Sequence, residues 1–265
     1  MREPAPISNY VNGSAIHLSL QGKGGVGKSF IASILAQYFL NHGHQVQCID
    51  TDPVNHTLAQ YKQLPVKLLK LLRGSRIDER RFDALLDTFL KDDVTFVVDN
   101  GAATFIPLWN YILESEVLAK LREAGKPLYV HTILTGGQAL ADTLEGFRQI
   151  AESTTDRNII VWINEYFGPV EWEDTTFLDM AVYKLNEQKI LGMVTIPRRN
   201  QDTFGQDIEE MVCRKQTFRE AFLWEGSSIM TKQRLKIVQR QLFEQLDKLD
   251  FASSTKSARQ VVEAL

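Results

Sequence analysis

The sequence predicts an α/β fold: a mostly parallel sheet of about six or seven strands, with helices on both faces and a helical carboxyl-terminal part. Short apolar runs alternate with longer segments of helical periodicity. Several runs are apolar almost throughout, as are strands covered on both faces. After residue 205 the helical pattern continues without further strands. Strand–helix–strand alternation implies crossover connections and therefore parallel strands.

The predicted elements follow one another in a regular order. The strands are 16–20, 45–50, 95–100, 128–134, 159–164 and 191–197. The helices between them are 28–41, 79–91, 112–123, 138–151 and 174–188. Since no long linker interrupts this order, we expect a single domain over 15–250, with flexible polar ends at 1–14 and 251–265.

Composition narrows the class of protein. The chain has 265 residues, 44% of them hydrophobic, and a net charge of −3, which gives no overall signal for a polyanion partner. Its two cysteines, Cys48 and Cys213, have no CxxC partner, which argues against a disulfide framework. The first residues do not resemble a signal peptide, and no run reaches the roughly 18 apolar residues of a membrane span. We expect a cytoplasmic protein without an integral membrane segment.

The segment GKGGVGKS at 22–29 fits the G-x-x-x-x-G-K-[ST] pattern of a phosphate-binding loop. It follows an apolar strand and opens a helical pattern, the context that this motif needs. Glycines let backbone N–H groups point at phosphate oxygens, and the helix N-terminus adds positive charge. Lys28 would bind the β- and γ-phosphates of a nucleotide, and Ser29 would bind Mg²⁺. The alternative is a glycine-rich turn without a ligand. The predicted contacts are Gly22, Lys23, Gly24, Gly25, Val26, Gly27, Lys28, Ser29 and Phe30.

A second lysine, Lys23, stands at the start of the loop, where it would point across the phosphates instead of lying beneath them. The form K-G-G-V-G-K-S resembles the deviant Walker A motif of the ParA/MinD family of P-loop ATPases. That resemblance implies an ATP-dependent homodimer in which Lys23 reaches the partner's phosphates and takes part in catalysis. A solvated loop lysine is the alternative.

Acidic residues end the second and third predicted strands, in CIDTDP at 48–53 and VTFVVDNGA at 94–102. By resemblance to the family, Asp52 would position the attacking water and Asp50 would lie near the Mg²⁺ shell; a turn or cap aspartate is the alternative. Asp99 ends an hhhhD strand of the Walker B type and would hold Mg²⁺. The family usually has D-T-P or D-C-P here, whereas this chain has D-N-G. Gly101 is expected to give the following loop freedom to move.

Two further segments are expected near the base. Asn164 ends a strand at the position where, by resemblance, the family reads adenine, and Pro197 and Arg198 match its adenine-cradling loop. The guanine-specific N-K-x-D pattern is absent after Asn164. The predicted cofactors are therefore ATP and Mg²⁺.

The chain from about 16 to 250 also resembles the TraL-type branch of the family. The match is carried by LQGKGGVGKSFIASILAQYF, CIDTDPVNHTLAQYK, VVDNGAATFIPLWNYI, HTILTGGQALADTLEGF and IMTKQRLKIVQRQLFEQLD. This resemblance implies an ATP-binding accessory protein of plasmid conjugal transfer or maintenance. Its partners would be DNA or proteins of the conjugation machinery.

Four surface features have two interpretations each. Residues 62–81 contain seven basic and two acidic residues, which indicates either a nucleic-acid surface or a solvated helical face. The acidic stretch 165–188 would dock a basic partner or be solvated. The last helix would pack on the core through Leu235, Val238, Leu242, Leu246 and Leu249, which we favour, or form a membrane anchor. The glycine pair in LTGGQAL at 134–140 would contact a partner or form a tight turn.

These observations favour a dimerising ATPase switch. One alternative is a nucleotide-gated adaptor with negligible hydrolysis, because only Asp52 supports the activation of water. Another is an ATP-dependent small-molecule enzyme resembling dethiobiotin synthetase, although no residue cluster marks a substrate pocket. A redox role is disfavoured because Cys48 lies in a strand and Cys213 in a helical pattern.

Overall fold

The computed structural model describes residues 14–74 and 76–251. The predicted flexible ends therefore lie outside the described residues, except for Ser14 and Phe251. Eleven strands are seen in the described part: β1 (Ile16–Ser19), β2 (Val46–Asp50), β3 (Val66–Leu68), β4 (Leu72–Arg73), β5 (Arg76–Ile77), β6 (Thr95–Asp99), β7 (Leu128–Thr135), β8 (Ile159–Asn164), β9 (Glu171–Trp172), β10 (Thr175–Thr176) and β11 (Ile190–Ile196).

Seven of these strands form one sheet in the order β11-β8-β7-β1-β6-β2-β3, and every neighbouring pair is parallel. The remaining strands form two small hairpins, β4–β5 and β9–β10. On one side of β1 the strands β7, β8 and β11 follow in chain order, and on the other side β6 lies between β1 and β2, with β3 at the edge. The carboxyl ends of β1, β2 and β6 thus lie side by side at one edge of the sheet.

Helices cover both faces of the sheet. The nine described α-helices are α1 (Lys28–Asn41), α2 (Arg80–Lys91), α3 (Phe105–Glu114), α4 (Val117–Glu123), α5 (Leu140–Ser153), α6 (Ala181–Lys184), α7 (Gln206–Cys213), α8 (Phe218–Leu223) and α9 (Ile229–Leu246). Alternate residues of β6 enter opposite cores: Phe96 and Val98 pack with α2–α5, and Val97 packs with α1 and α7–α9. The predicted fold class is confirmed.

The carboxyl-terminal helix packs on the core as predicted. Its inward-facing residues are buried: Leu235, Val238, Leu242 and Leu246. Leu249, just beyond the helix, is buried as well. Within residues 14–74 and 76–251, no helix has the length and apolar character needed to cross a bilayer. Cys48 is buried and Cys213 exposed, and neither forms a disulfide.

Two of the predicted helices are wrong. Residues 112–123 belong to two helices, because Glu116 between them has a φ of 48°. Residues 174–188 form a hairpin strand, short 3₁₀ turns and only one four-residue helix, since the apolar residue Phe177 is docked in the core and fixes an irregular path. The helical interpretation of 62–81 also fails, since β3 and the β4–β5 hairpin lie there.

Candidate functional site

The phosphate-binding loop joins β1 to α1 and has the backbone that its glycines allow. Gly25 has a φ of +78° and Gly27 a φ of +106°, values that L side chains rarely adopt. The helix begins at Lys28, as predicted, and no side chain caps its first turn. Its first N–H groups are therefore available to an anion at the centre of the loop.

The side chain of Lys28 is buried inside this loop. Its Nζ donates a hydrogen bond to the Lys23 carbonyl oxygen at 2.8 Å, and the residue is 8% exposed. Burial lowers the pKa of Lys28, while the carboxylates of Asp99 and Asp52 oppose that shift. The ammonium group is thus held inside the loop, where a phosphate would replace the carbonyl oxygen as its partner.

Lys23 lies at the outer side of the same loop. Its Nζ is 2.7 Å from Oδ2 of Asp142 in the first turn of α5, and the two side chains are 43% and 58% exposed. The two loop lysines therefore occupy different places, one inside and one at the rim. Contact of Lys23 with a partner subunit stays a prediction, and it requires release from Asp142.

Asp99 and Asp50 are directly opposite each other on β6 and β2. Asp99 is 1% exposed, and within the described part of the chain neither of its oxygens has a hydrogen-bond partner by distance and angle. Burial raises the pKa of Asp99 to about 7, with nearby Asp50 and Asp52 adding to the shift and Ser29 and Lys28 opposing it. A buried carboxylate without a partner beside a serine hydroxyl fits a Mg²⁺ site completed by phosphate and water.

Asp50 and Asp52 shape the loop after β2. The Asp50 carboxylate accepts the N–H groups of Asp52 at 3.0 Å and Ala59 at 2.9 Å. Oδ1 of Asp52 accepts those of Val54 at 2.9 Å and Asn55 at 3.2 Å. Both carboxylates therefore stabilise turns by accepting backbone N–H groups. This is the alternative role that the sequence left open for them. Their roles toward Mg²⁺ and water stay predictions.

The D-N-G sequence after β6 has a structural explanation that the sequence analysis missed. The buried Asn100 accepts hydrogen bonds from the hydroxyls of Thr51 at 3.0 Å and Thr104 at 2.5 Å, and donates to the Gly101 carbonyl at 3.1 Å. Asn100 thus ties the loop after β6 to the loop after β2. In the sequence, the signal for this role was a polar residue directly after the Walker B aspartate.

Mobility of the loop at Gly101 stays a prediction, and the structure adds a packing reason for this glycine. Its φ of −67° is ordinary, so the backbone conformation does not require glycine. A Cβ there would lie 2.9 Å from Cγ of Asp52 and 3.0 Å from its Cα. Glycine is needed because the two acidic loops approach closely.

Gln21, just before the loop, was also missed. Its Nε2 donates to the carbonyls of Ile133 at 2.8 Å and Thr143 at 3.1 Å, and its Oε1 accepts the Gly22 N–H at 2.8 Å. Gly146 in α5 leaves room for it, since a Cβ there would be 2.2 Å from Oε1. This side chain fixes the start of the loop to β7 and α5.

The structure brings the predicted base-side residues together. Asn164 is paired in register with Ile196, so Pro197 and Arg198 follow beside it. The Arg198 N–H donates to Oε2 of Glu165 at 3.1 Å. The Asn164 amide donates to the Val26 carbonyl at 3.0 Å and so supports the loop itself. Recognition of adenine stays a prediction.

The glycine pair at 136–137 has a packing reason. A Cβ on Gly136 would lie 2.3 Å from the Pro169 carbonyl oxygen and 2.4 Å from that of Gly168, and Gly137 has a φ of +70°. The pair lets the turn before α5 lie directly on the loop that follows Asn164.

Comparison with known proteins identifies the family. The CobQ/CobB/MinD/ParA nucleotide binding domain matches residues 19–209. The chain belongs to this family. The matched range of this ParA/MinD-type domain includes the whole site described above. The predicted resemblance is thereby confirmed.

Similar sequences and structures agree with this assignment. Two proteins named TraL from Escherichia coli are 47% and 44% identical to this chain, each over 88% of it and 97% of their own length. MinD from Pyrococcus horikoshii OT3, complexed with Mg-ADP, has a TM-score of 0.55 at 17% identity, covering 90% of this chain and 98% of that chain. The TraL similarity confirms the predicted branch, and the MinD similarity supports the fold.

Proposed function

We propose that the chain is an ATP-dependent dimerisation switch with slow ATPase activity, working in plasmid conjugal transfer or maintenance. ATP would join two subunits across their loops, and hydrolysis would separate them. The observation that carries the proposal is the separation of the two loop lysines. Lys28 is held inside the loop, whereas Lys23 stands at the rim and is 43% exposed. A second cation at the rim is useful when another nucleotide is brought to it.

The residues of this chain supply each part of an ATP site. The loop N–H groups and Lys28 would bind the phosphates, and Asn164 with residues 197–198 would lie by the base. Ser29 and Asp99 would hold Mg²⁺, with Asp50 near its shell. Bound there, Mg²⁺ would neutralise phosphate charge. Asp52 would position the attacking water.

The Lys23–Asp142 pair gives the switch a resting state. In this state the lysine is kept on its own subunit by a carboxylate 2.7 Å away. A partner's triphosphate carries more negative charge than one aspartate, so it would compete for the ammonium group. Because both side chains are largely exposed, the pair costs little to open.

The cellular role is proposed from the TraL relatives. Identity of 47% over 97% of one relative supports a shared role in plasmid transfer. We propose a cytoplasmic location and, as partners, DNA or proteins of the conjugation machinery.

A nucleotide-gated adaptor with negligible hydrolysis is a second candidate, and Asp52 favours it. Oδ1 of Asp52 accepts two backbone N–H groups, and its Oδ2 accepts the Asn55 amide at 3.2 Å. A carboxylate committed to a turn is less free to orient water. Such an adaptor would bind ATP and dimerise without turning it over.

Light scattering and turnover assays separate these candidates. The wild-type mass is measured with no nucleotide, with Mg-ADP and with a non-hydrolysable Mg-ATP analogue. We expect a doubled mass only with the analogue; a single-chain mass in all three states contradicts the switch. ATP turnover is then compared between wild type, Asp52→Ala and the exposed-residue control Asp87→Ala, with and without DNA. A loss in Asp52→Ala alone supports hydrolysis, and equal near-zero rates support the adaptor.

A further inference from the structure

An exposed apolar surface lies on the segment that joins β8 to β11. Five large side chains between 166 and 185 are exposed: Tyr166 by 40%, Phe167 by 55%, Trp172 by 52%, Leu178 by 47% and Leu185 by 73%. The rings of Tyr166 and Phe167 pack edge to face, with centroids 4.8 Å apart. Single exposed apolar residues are ordinary, but five on one short segment indicate a contact surface.

Acidic residues are interspersed with these side chains along the segment. The segment 165–187 contains six acids and one lysine: Glu165, Glu171, Glu173, Asp174, Asp179, Glu187 and Lys184. Over residues 14–74 and 76–251, none of the six acids lies in a salt bridge. The β9–β10 turn places Glu173 and Asp174 at φ values of 48° and 61°, a conformation that usually takes glycine or asparagine. Trp172 thus stands next to this turn, with Glu171 and Glu173 as its neighbours in the chain. We call 165–187 the aromatic–acidic surface.

A complementary surface lies at the other end of the sheet. Residues 62–81 contain seven basic and two acidic side chains, and six of the basic ones are exposed: Lys62, Lys67, Lys70, Arg73, Arg76 and Arg80. In the part of the chain that the structure describes, none of those six forms a salt bridge. Arg80 and Arg81 also stand in the first turn of α2, where the helix dipole disfavours cations. We call 62–81 the basic surface.

One molecule cannot join its own two surfaces. β11 and β8 end the strand order on one side, and β3 ends it on the other. Six strand spacings of about 4.8 Å put the two edges roughly 29 Å apart. The net charges are +5 and −5, from seven basic against two acidic residues and from one lysine against six acids.

We propose that the aromatic–acidic surface of one copy binds the basic surface of a second copy. Arginines suit this contact because a guanidinium group pairs with carboxylates and also stacks on aromatic rings. The contact joins two different surfaces, so each added copy leaves one of each kind free and the association is open-ended. It does not depend on the proposed function, because it uses neither the phosphate-binding loop nor nucleotide.

The test uses sedimentation velocity of the full chain without nucleotide. In 50 mM NaCl the average mass should rise with protein concentration, and in 500 mM NaCl it should fall to that of one chain, because exposed charge pairs are screened. The acid variant Glu171→Lys/Glu173→Lys and the basic variant Arg73→Glu/Arg76→Glu should each associate at least tenfold more weakly. The control Glu114→Lys/Glu123→Lys has the charge change of the acid variant elsewhere on the molecule and should associate like wild type.

Mixing the two variants gives the sharpest result. The acid variant keeps its basic surface and the basic variant keeps its aromatic–acidic surface, so the mixture should associate although each variant alone associates weakly. Far-UV circular dichroism melting should show unchanged stability, since the substituted residues are exposed.

Several outcomes overturn the proposal. They are a wild type that stays a single chain at 50 mM NaCl, association that both variants retain, and a mixture that stays unassociated. If the wild type does not self-associate but binds a 30-base-pair duplex through Arg73 and Arg76, the basic surface is a DNA interface instead. Association that Lys23→Ala abolishes without nucleotide would assign the contact to the loops. Failure of ATP-dependent dimerisation alone leaves this contact standing.

Discussion

Polar groups have opposite environments in two regions of the molecule. One region is the nucleotide-binding end of the central strands, and the other is the outer segments of the sheet. At the centre, the buried Gln21 and Asn100 are bonded to groups far away in sequence, and the buried Asp50 is bonded to the loop that follows it. At the edges, most charges of 62–81 and 165–187 are exposed, and within the described residues only Arg81 and Asp78 form a salt bridge among them. Buried polar groups fix the geometry of one molecule, whereas exposed unpaired charges remain available to another.

Asp99 is a buried carboxylate whose oxygens have no hydrogen-bond partner by distance and angle within the described residues, and its substitution should give the largest effect. Its pKa is raised from 3.8 to about 7, so the folded protein holds a proton that the unfolded chain has lost. Because of Asp99, the free energy of unfolding falls as the pH rises from about 4 to about 7. Without Mg²⁺, Asp99→Asn should therefore be more stable than wild type at pH 8, by about 2–4 kcal/mol.

Thermal unfolding at pH 8 and pH 4.5 checks this, with Asp87→Asn as the exposed control. The advantage of Asp99→Asn should shrink at the lower pH. Mg-ATP should stabilise wild type and not the variant. A variant less stable than wild type at pH 8 would contradict this account of Asp99.

Gly136→Ala tests the close packing beside the site. The added Cβ meets two backbone oxygens at 2.3 and 2.4 Å, and backbone cannot retreat as a flexible side chain can. We expect a loss of about 1–3 kcal/mol in the free energy of unfolding, measured by urea denaturation. The control is Gly24→Ala, where a Cβ would meet nothing within 4 Å. Equal stability of the two variants would show that the 136–137 turn can move.

Asn100→Ala tests the link between the two acidic loops. It leaves the hydroxyls of Thr51 and Thr104 without their shared acceptor in a buried place. The expected loss is about 1–2 kcal/mol, and Asn41→Ala at the exposed end of α1 should lose almost nothing. Weaker binding of a fluorescent Mg-ATP analogue should accompany it. Unchanged melting and binding would show that the hydrogen bonds of Asn100 contribute neither to stability nor to nucleotide binding.

Asp142→Asn should change stability least. Its pair with Lys23 is largely exposed, so the loss should be under about 0.5 kcal/mol. Releasing Lys23 should nevertheless favour the dimer, and light scattering should show half-maximal dimerisation at a severalfold lower concentration of the ATP analogue. If the midpoint stays where wild type has it, the pair does not restrain the switch.

The centre of the molecule was predictable because its signals are local. Apolar strands and the glycines of the loop lie next to each other in sequence, and α1 has the predicted bounds of 28–41. Gln21 and Asn100 were missed because their roles depend on distant partners. Gln21, for example, bonds to a carbonyl 122 residues away.

The edges were harder to predict for a related reason. The apolar residues of 174–188 have helical spacing, but Phe177 is buried while Leu178 and Leu185 are exposed, so the chain follows its docking points rather than its local preference. In 62–81 the many charged residues gave no strand pattern. The short strand β3 forms there because it pairs with β2, which is a tertiary contact.

The proposed switch depends most directly on Lys23, and one paired measurement tests this role. Lys23→Ala and wild type are titrated with a non-hydrolysable Mg-ATP analogue while nucleotide binding and light-scattering mass are recorded together. Lys23→Ala should bind the analogue about as tightly as wild type and keep the mass of one chain, while wild type doubles. A Lys23→Ala protein that doubles like wild type contradicts the account.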